Sequence, residues 1–203
     1  FPLTCIENKI IENQSIDLCA APGGKSFQII SRGKNIILND KNNERIKILI
    51  SNLKRLKFKA KILNFDAINF KNIGQYDFII LDAPCSAVGT IRKNPEIFFR
   101  TKQPNFDKLI KTQKFLLDTA SKLLKKNGII LYMVCSFLKS ETDEQIYNFL
   151  EKNKNFSINK FFQINKIIIN NNFIKDNKMI TLPSHINDFK IDGYFATYLR
   201  KDK

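Results

Sequence analysis

The chain is 203 residues long, 43% hydrophobic and 26% charged, enough for the core of one ordinary globular domain and too apolar for wholesale disorder. Its 34 Lys and Arg against 19 Asp and Glu leave a net charge of +15. That surplus favours a polyanionic partner, nucleic acid or an anionic membrane face, although a low-GC codon bias towards Lys, Asn and Ile accounts for part of it. The longest apolar runs, residues 78–81 and 128–134, fall far short of the ~20 residues of a membrane span. Glu7 and Lys9 interrupt the apolar N-terminus, where a cleavable signal needs an unbroken run. The chain does not begin with Met, as expected of a shortened piece of a longer protein.

Short β-rich runs alternate with helix-period segments. Residues 15–19 predict a buried strand, followed by a Pro-Gly-Gly turn and a helix over about 25–31. A second strand over 35–38 ends in Asn39-Asp40. The next helix begins near Asn42, with Ile46, Leu49, Ile50, Leu53 and Leu56 on one buried face. Residues 60–63 predict a third strand and 76–81 a fourth, ended by Asp82-Ala83-Pro84-Cys85. The helix after Pro104 has the clearest period, from Phe106 to Leu124, and Gly128 is expected to break it. A fifth strand over 129–134 ends at Cys135, and a helix follows over about 141–150. Two last strands, 156–162 and 193–199, flank an Asn/Lys-rich stretch and are expected to close one edge as an antiparallel pair. Strands separated by helices and nearly continuous in apolar residues imply a mostly parallel sheet with helices on both faces, in one domain spanning residues 1–203.

The four cysteines, Cys5, Cys19, Cys85 and Cys135, form no C-x-x-C pair, and the single His185 is expected to cap or line a loop. A metal site therefore lacks ligands. Three of the thiols sit at strand ends rather than in a secreted disulfide framework, which points to a reduced, cytoplasmic setting.

In an open α/β sheet, ligands gather beyond the carboxyl ends of the strands. Here those ends carry Cys19 through Lys25, Asp40, Asp66, Asp82 through Ser86, and Cys135-Ser136. Ala21-Pro22-Gly23-Gly24-Lys25-Ser26 resembles the end of a P-loop, but Cys19 stands where its first Gly belongs, so triphosphate hydrolysis falls to a minor alternative. What remains is a glycine turn that lets backbone approach a ligand. Asp40 is placed to accept from both hydroxyls of a ribose, and Asp66 to meet an adenine amino group; singly, each reads as well as a helix N-cap. Two thiols, Cys85 and Cys135, end strands that are plausible neighbours. A lone buried Cys is usually a small hydrophobe; two at one pocket carry more.

Asp17-Leu18-Cys19-Ala20-Ala21-Pro22-Gly23-Gly24-Lys25, Asp82-Ala83-Pro84-Cys85-Ser86 and Cys135-Ser136 with Glu141 resemble the RNA cytosine-5 methyltransferases. Among these the bacterial Sun (Fmu) branch, which methylates small-subunit ribosomal RNA, is the most similar. Gly89-Thr90-Ile91-Arg92-Lys93-Asn94-Pro95-Glu96 and Asp192-Gly193-Tyr194-Phe195 match that branch too, so the resemblance spans about residues 15–201. It implies a class I S-adenosylmethionine-dependent, Rossmann-like fold with a seven-stranded, mostly parallel sheet and an antiparallel edge. It implies that S-adenosylmethionine is held by Cys19, Ala20, Ala21, Pro22, Gly23, Gly24, Lys25, Asp40, Asp66 and Asp82, with Arg45 as a nearby basic residue. Cys135 is then the nucleophile and Cys85 helps release the product. Val134, Asn94 and Thr142 depart from the family pattern, and the chain is expected to lack the upstream RNA-binding region that Sun-type proteins carry.

That chemistry needs two thiols. A thiolate adding to carbon 6 of cytosine makes carbon 5 nucleophilic enough to take a methyl group. Asp82 is placed to hold the pyrimidine edge, and Cys85 to act as base or proton relay in the release. Arg92, Lys93, Arg100 and Lys102, with Phe98 and Phe99 between them, read either as a backbone clamp with a stacking face or as a solvated loop with two core phenylalanines. The alternatives are methylation of transfer RNA, methylation of another acceptor such as protein or a small molecule, which leaves the second thiol without a purpose, and a non-catalytic RNA-binding fragment.

Overall fold

The computed structural model describes residues 2–11, 14–70, 75–161, 173–186 and 189–202. Three short strands, β1 (Ser15–Asp17), β2 (Ile37–Asn39) and β3 (Ile62–Leu63), alternate with helices α1 (Ser26–Ile30) and α2 (Asn43–Arg55). Next come β4 (Tyr76–Asp82), α3 (Phe106–Leu123), β5 (Leu124–Val134) and α4 (Asp143–Lys152). The chain ends in β6 (Phe156–Asn159), β7 (Ile174–Lys175), β8 (Lys178–Thr181), β9 (Ser184–Ile186), β10 (Phe189–Ile191) and β11 (Tyr194–Lys201).

Strand order in the main sheet is β3-β2-β1-β4-β5-β11-β8-β7. The pairs from β3 to β5 are parallel, and β11 runs antiparallel to β5. Both β6 and β8 pair with the free edge of β11, β8 along Tyr194–Thr197 and β6 along Tyr198–Lys201. The chain reverses its winding direction between β1 and β4, the adjacent pair whose carboxyl ends open a ligand crevice.

Side chains along β4 explain the layers. Phe78 and Ile80 point to the α1–α2 side, with Ile29, Leu38 and Leu49. Ile79 and Leu81 point to the other side, with Leu117, Ala120 and Ile146 of α3 and α4. Each such burial contributes roughly 1.5–3 kcal/mol, which fixes the register, because a one-residue slip would expose a whole face.

The fold departs from the sequence reading at four places. Nine strands form the main sheet among the described residues, with β9–β10 as a separate pair, not seven; β7 and β8 are too short and too polar to stand out in a Lys/Asn-rich stretch. The part of the expected strand 156–162 beyond Phe161 and the Asn-rich run to Asn172 lie outside the described residues. Helix α3 ends at Leu123, before Gly128: Leu124 is already extended and buried, and β5 carries an irregularity between Leu124 and Ile129, with Asn127 at φ 63°. On α2, Ile46, Leu49 and Leu53 are buried, whereas Ile50 and Leu56 lie on the solvent side. His185 belongs to β9, opposite Lys190.

Candidate active site

The turn after β1 is shaped by Gly23. Its φ of +110° and the Phe27 ring, 2.1 Å from where a Cβ would sit, admit no side chain. Beyond the turn, Asp40 is buried at the end of β2. Its Oδ2 accepts from the Ala21 N–H at 3.2 Å and its Oδ1 from the Asn42 N–H at 2.9 Å. Arg45 bonds the Ala21 carbonyl and lies 3.6 Å from Asp40. Asn42, not Asp40, caps α2, accepting from the Arg45 N–H at 3.0 Å. Asn39, fully buried, donates to the carbonyls of Leu18 (3.0 Å) and Phe65 (3.1 Å), tying the end of β1 to the loop that carries Asp66. The result is a cavity of about 210 Å³ with Leu18, Cys19, Pro84 and Leu116 as apolar wall and Asp40 and Asp66 as acceptors.

Across the crevice the two thiols meet: Cys85 Sγ and Cys135 Sγ are 3.3 Å apart. Lys25 Nζ donates to Asp82 Oδ2 at 2.5 Å, and the Tyr194 hydroxyl donates to Asp82 Oδ1 at 3.2 Å. The Lys25 ammonium also stands 5.5 Å from the centre of the Tyr194 ring. Burial and the neighbouring Asp82 push the Tyr194 phenol well up, so it stays a donor. The thiols divide their proton unequally. A hydrogen bond from Cys85, helped by Lys25, lowers the Cys135 thiol below its usual value. Cys85 is raised by that same bond, by burial and by Glu141. Burial raises Cys5 and Cys19 as well. Of the four thiols, Cys135 alone is tuned towards the thiolate.

Close backbone contacts join the loops that carry this pair. The Gly89 N–H donates to the Cys135 carbonyl at 3.0 Å, and the Gly193 N–H to the Gly89 carbonyl at 2.7 Å. A Cβ at Gly89 would lie 2.1 Å from the Gly193 oxygen, which explains glycine there. Arg92 grips Asp192 through Nε (3.1 Å) and Nη2 (2.8 Å), and Lys93 Nζ reaches the same carboxylate at 2.7 Å.

Asp17 lies under the turn, bonded to Ser26 Oγ and accepting from the Cys19 N–H at 3.1 Å. Burial, opposed by Ser26 and reinforced by Asp82, raises its carboxyl to about 7. The native state therefore keeps a proton that the unfolded chain releases near pH 4, and this contribution to stability is lost as pH rises from there to about 7. Asp17→Asn cannot ionise. Its melting temperature relative to wild type is expected to climb by roughly 5–10 °C between pH 4 and 7.5, read by circular dichroism. A pH-independent difference between the two melts contradicts the assignment.

The family description 16S rRNA methyltransferase RsmB/F matches residues 6–200. The chain belongs to this family. Similar curated proteins include Ribosomal RNA small subunit methyltransferase B of Shewanella oneidensis, 39% identical over 142 residues, 68% of this chain and 33% of that protein. The protein of that name from Photorhabdus laumondii is 36% identical over 158 residues, 74% of this chain and 37% of that protein. The chain thus spans about a third of the length of the curated relatives it matches. Among solved structures, NSun6 from Pyrococcus horikoshii with SFG superimposes at a TM-score of 0.77 and 25% identity, over 97% of this chain and 50% of that one. RsmB/F methyltransferases use S-adenosylmethionine and share this Rossmann-like fold.

In this RsmB/F chain the sequence-predicted residues separate into two groups. Cys19, Asp40 and Asp66 line the 210 Å³ cavity, with Arg45 beside them. Ala20 and Ala21 are buried in the wall of the turn, Pro22 and Gly24 are exposed, and Gly23 shapes it. Lys25 goes elsewhere: it lies against Asp82 on the thiol side and lines a second cavity of about 310 Å³ with Met133 and Tyr194. Glu141 and Tyr194, which the resemblance included without a role, take places at the site: Glu141 accepts from Ser86 beside Cys85, and Tyr194 donates to Asp82. Of the three departures, Asn94 is spent locally, donating to Thr90 Oγ1 at 2.9 Å, and Thr142 to the Leu138 carbonyl at 2.9 Å. Val134 is buried opposite Phe195.

Proposed function

We propose that this chain is the catalytic domain of a cytoplasmic enzyme that methylates carbon 5 of a cytosine in 16S ribosomal RNA, with S-adenosylmethionine as methyl donor. The observation that carries the reading is the thiol pair at 3.3 Å, at the crevice and beside the Lys25–Asp82 ion pair. An acceptor other than cytosine gives Cys85 no task.

The residues around the smaller cavity suit the methyl donor. Leu18, Pro84 and Leu116 offer apolar surface to a purine, Asp40 accepts from ribose hydroxyls, and Asp66 accepts from an amino group. Gly24 leaves open space, with no atom within 4 Å of a Cβ position. When bound, S-adenosylmethionine supplies an electrophilic methyl group. Asp40→Ala is expected to weaken its binding about 10- to 100-fold by calorimetry, the loss of a hydrogen-bonding carboxylate. An unchanged Kd removes Asp40 from the ribose.

The cytosine must leave its stack to reach the thiols. Cys135 Sγ bonds carbon 6, and the ring electrons move towards carbon 5. Asp82 and Lys25 hold the pyrimidine edge, where charge shifts during the attack. After methylation the carbon-5 proton leaves through Cys85, acting as base or relay. The electrons of that C–H bond restore the ring double bond as the sulfur–carbon-6 bond breaks, returning Cys135 as thiolate.

Charge and exposed aromatic surface support the RNA half of the reading. Phe98 and Phe99 are 69% and 82% exposed, so the core-phenylalanine reading of this segment falls. Arg100 and Lys102 follow them and are exposed, whereas Arg92 and Lys93 are spent on Asp192. Stacking of bases on such rings contributes about 1–3 kcal/mol each. The test is transfer of a radiolabelled methyl group to 16S ribosomal RNA, followed by mapping of 5-methylcytosine. RNA binding without transfer, by a chain that binds the methyl donor, overturns the catalytic reading.

A further inference from the structure

The mechanism above leaves the buried side chain of Glu141 unused. Glu141 is fully buried in the loop between β5 and α4. Its Oε1 accepts from the Ser86 N–H at 2.8 Å and from Gln113 Nε2 at 3.1 Å, and its Oε2 from Ser86 Oγ at 2.5 Å. Gln113 in turn donates to the Pro84 carbonyl at 2.9 Å and accepts from Gln145 Nε2 at 3.2 Å. The Tyr132 hydroxyl holds the Glu141 carbonyl at 2.8 Å. Glu141 and Gln113 thus hold the residues flanking Cys85, namely Pro84 and Ser86, while Tyr132 anchors Glu141 and Gln145 braces Gln113. Ser86 Oγ also lies 3.4 Å from Ser136 Oγ, next to Cys135. A carboxylate buried at this cost is a poor stabilising device compared with an apolar side chain, so its position calls for another reason.

We propose that Glu141 is the positioning residue that gives the two thiols their separate roles, clamping the Cys85 loop against Cys135 and placing negative charge on the Cys85 side. The clamp acts through Ser86, whose backbone and hydroxyl are both held, so that the sulfur one residue earlier cannot swing away. The charge works in the same direction. Glu141 adds to the rise of Cys85, behind its bond to Cys135 and its burial, whereas Lys25 adds to the lowering of Cys135. The other titratable groups against the pair are Asp82, Tyr132 and Tyr194. Asp82 opposes ionisation of Cys135, and both phenols are buried and pushed up, so neither competes for the proton. This role rests on the thiol-based reading of the site, and it deepens that reading by naming what keeps nucleophile and proton carrier from exchanging places.

The test needs neither RNA nor methyl donor. Wild type and Glu141→Gln are treated briefly with iodoacetamide at pH 7, and alkylation of Cys135 and Cys85 is measured by peptide mass spectrometry. Wild type is expected to react mainly at Cys135. In Glu141→Gln the preference for Cys135 over Cys85 is expected to fall about tenfold, the effect of moving one nearby charge. Ser86→Ala keeps the charge and cuts one strut, and it is expected to lower the preference a few-fold, which serves if Glu141→Gln does not fold. In methyl transfer, Glu141→Gln lowers kcat while KM for RNA holds. An unchanged alkylation ratio in the folded variants overturns the proposal. A shifted ratio in a protein that transfers no methyl group to RNA leaves the positioning role intact and overturns the functional reading instead.

Discussion

Cys135→Ala is expected to abolish both methyl transfer and covalent capture of RNA. The expectation follows from the unequal state of the four thiols. Cys5, Cys19 and Cys85 are all pushed towards the protonated form, and only Cys135 is drawn towards the thiolate. Cys85 stands 3.3 Å away but cannot inherit the task, because without its partner it keeps its burial and its acidic neighbour Glu141. Losing a nucleophile typically costs on the order of 10⁴-fold or more in turnover. The sharpest reading uses RNA carrying 5-fluorocytidine at the target, in which carbon 5 has no proton to lose. Wild type is expected to form a complex that survives denaturing electrophoresis, and Cys135→Ala none. A denaturation-resistant complex with the alanine variant would falsify the assignment.

The elements that carry the proposed chemistry were legible in the sequence because they are local. Buried strands in a parallel sheet read as short apolar runs, and the residue after each run, Cys19, Asp40, Asp82 or Cys135, falls at a carboxyl end by the rule of the fold. That placed both thiols at one crevice. What the sequence hid depends on contacts between distant residues. Lys25 belongs by position to the glycine turn, but its partner Asp82 is 57 residues away and draws it to the thiol side. Glu141 reaches Ser86 across 55 residues, and Tyr194 reaches Asp82 across 112. No periodicity records such pairs. Hydrophobicity also failed to separate exposed from buried aromatics: Phe98 and Phe99 face solvent, while Phe149 and Phe156 pack edge to face in the core at 5.0 Å. The end of α3 was misplaced for a related reason. Gly128 is the conspicuous breaker, but Leu124 leaves the helix earlier because its side chain finds a fully buried place in the sheet. Tertiary burial overrode the local signal.

Cys85→Ala is expected to do the opposite of the nucleophile variant and accumulate a covalent complex on ordinary RNA. In that protein Cys135 keeps Lys25 beside it and can still bond carbon 6, since Asp82 and Tyr194 remain in place. Loss of the hydrogen bond from Cys85 slows the attack but leaves it possible. The release fails instead. Once carbon 5 carries both its methyl group and its original proton, the sulfur can depart only as that proton is removed. Among the described residues Cys85 is the side chain hydrogen-bonded to Cys135, so its loss removes the group placed to take that proton. General-base assistance accounts for roughly 10²- to 10⁴-fold, so turnover should fall by that factor while the adduct rises towards one per protein. Labelled methyl tells which step stopped: the trapped complex is expected to contain it. A trapped complex lacking the label places Cys85 before methyl transfer, and a variant that turns over without any adduct removes Cys85 from the reaction.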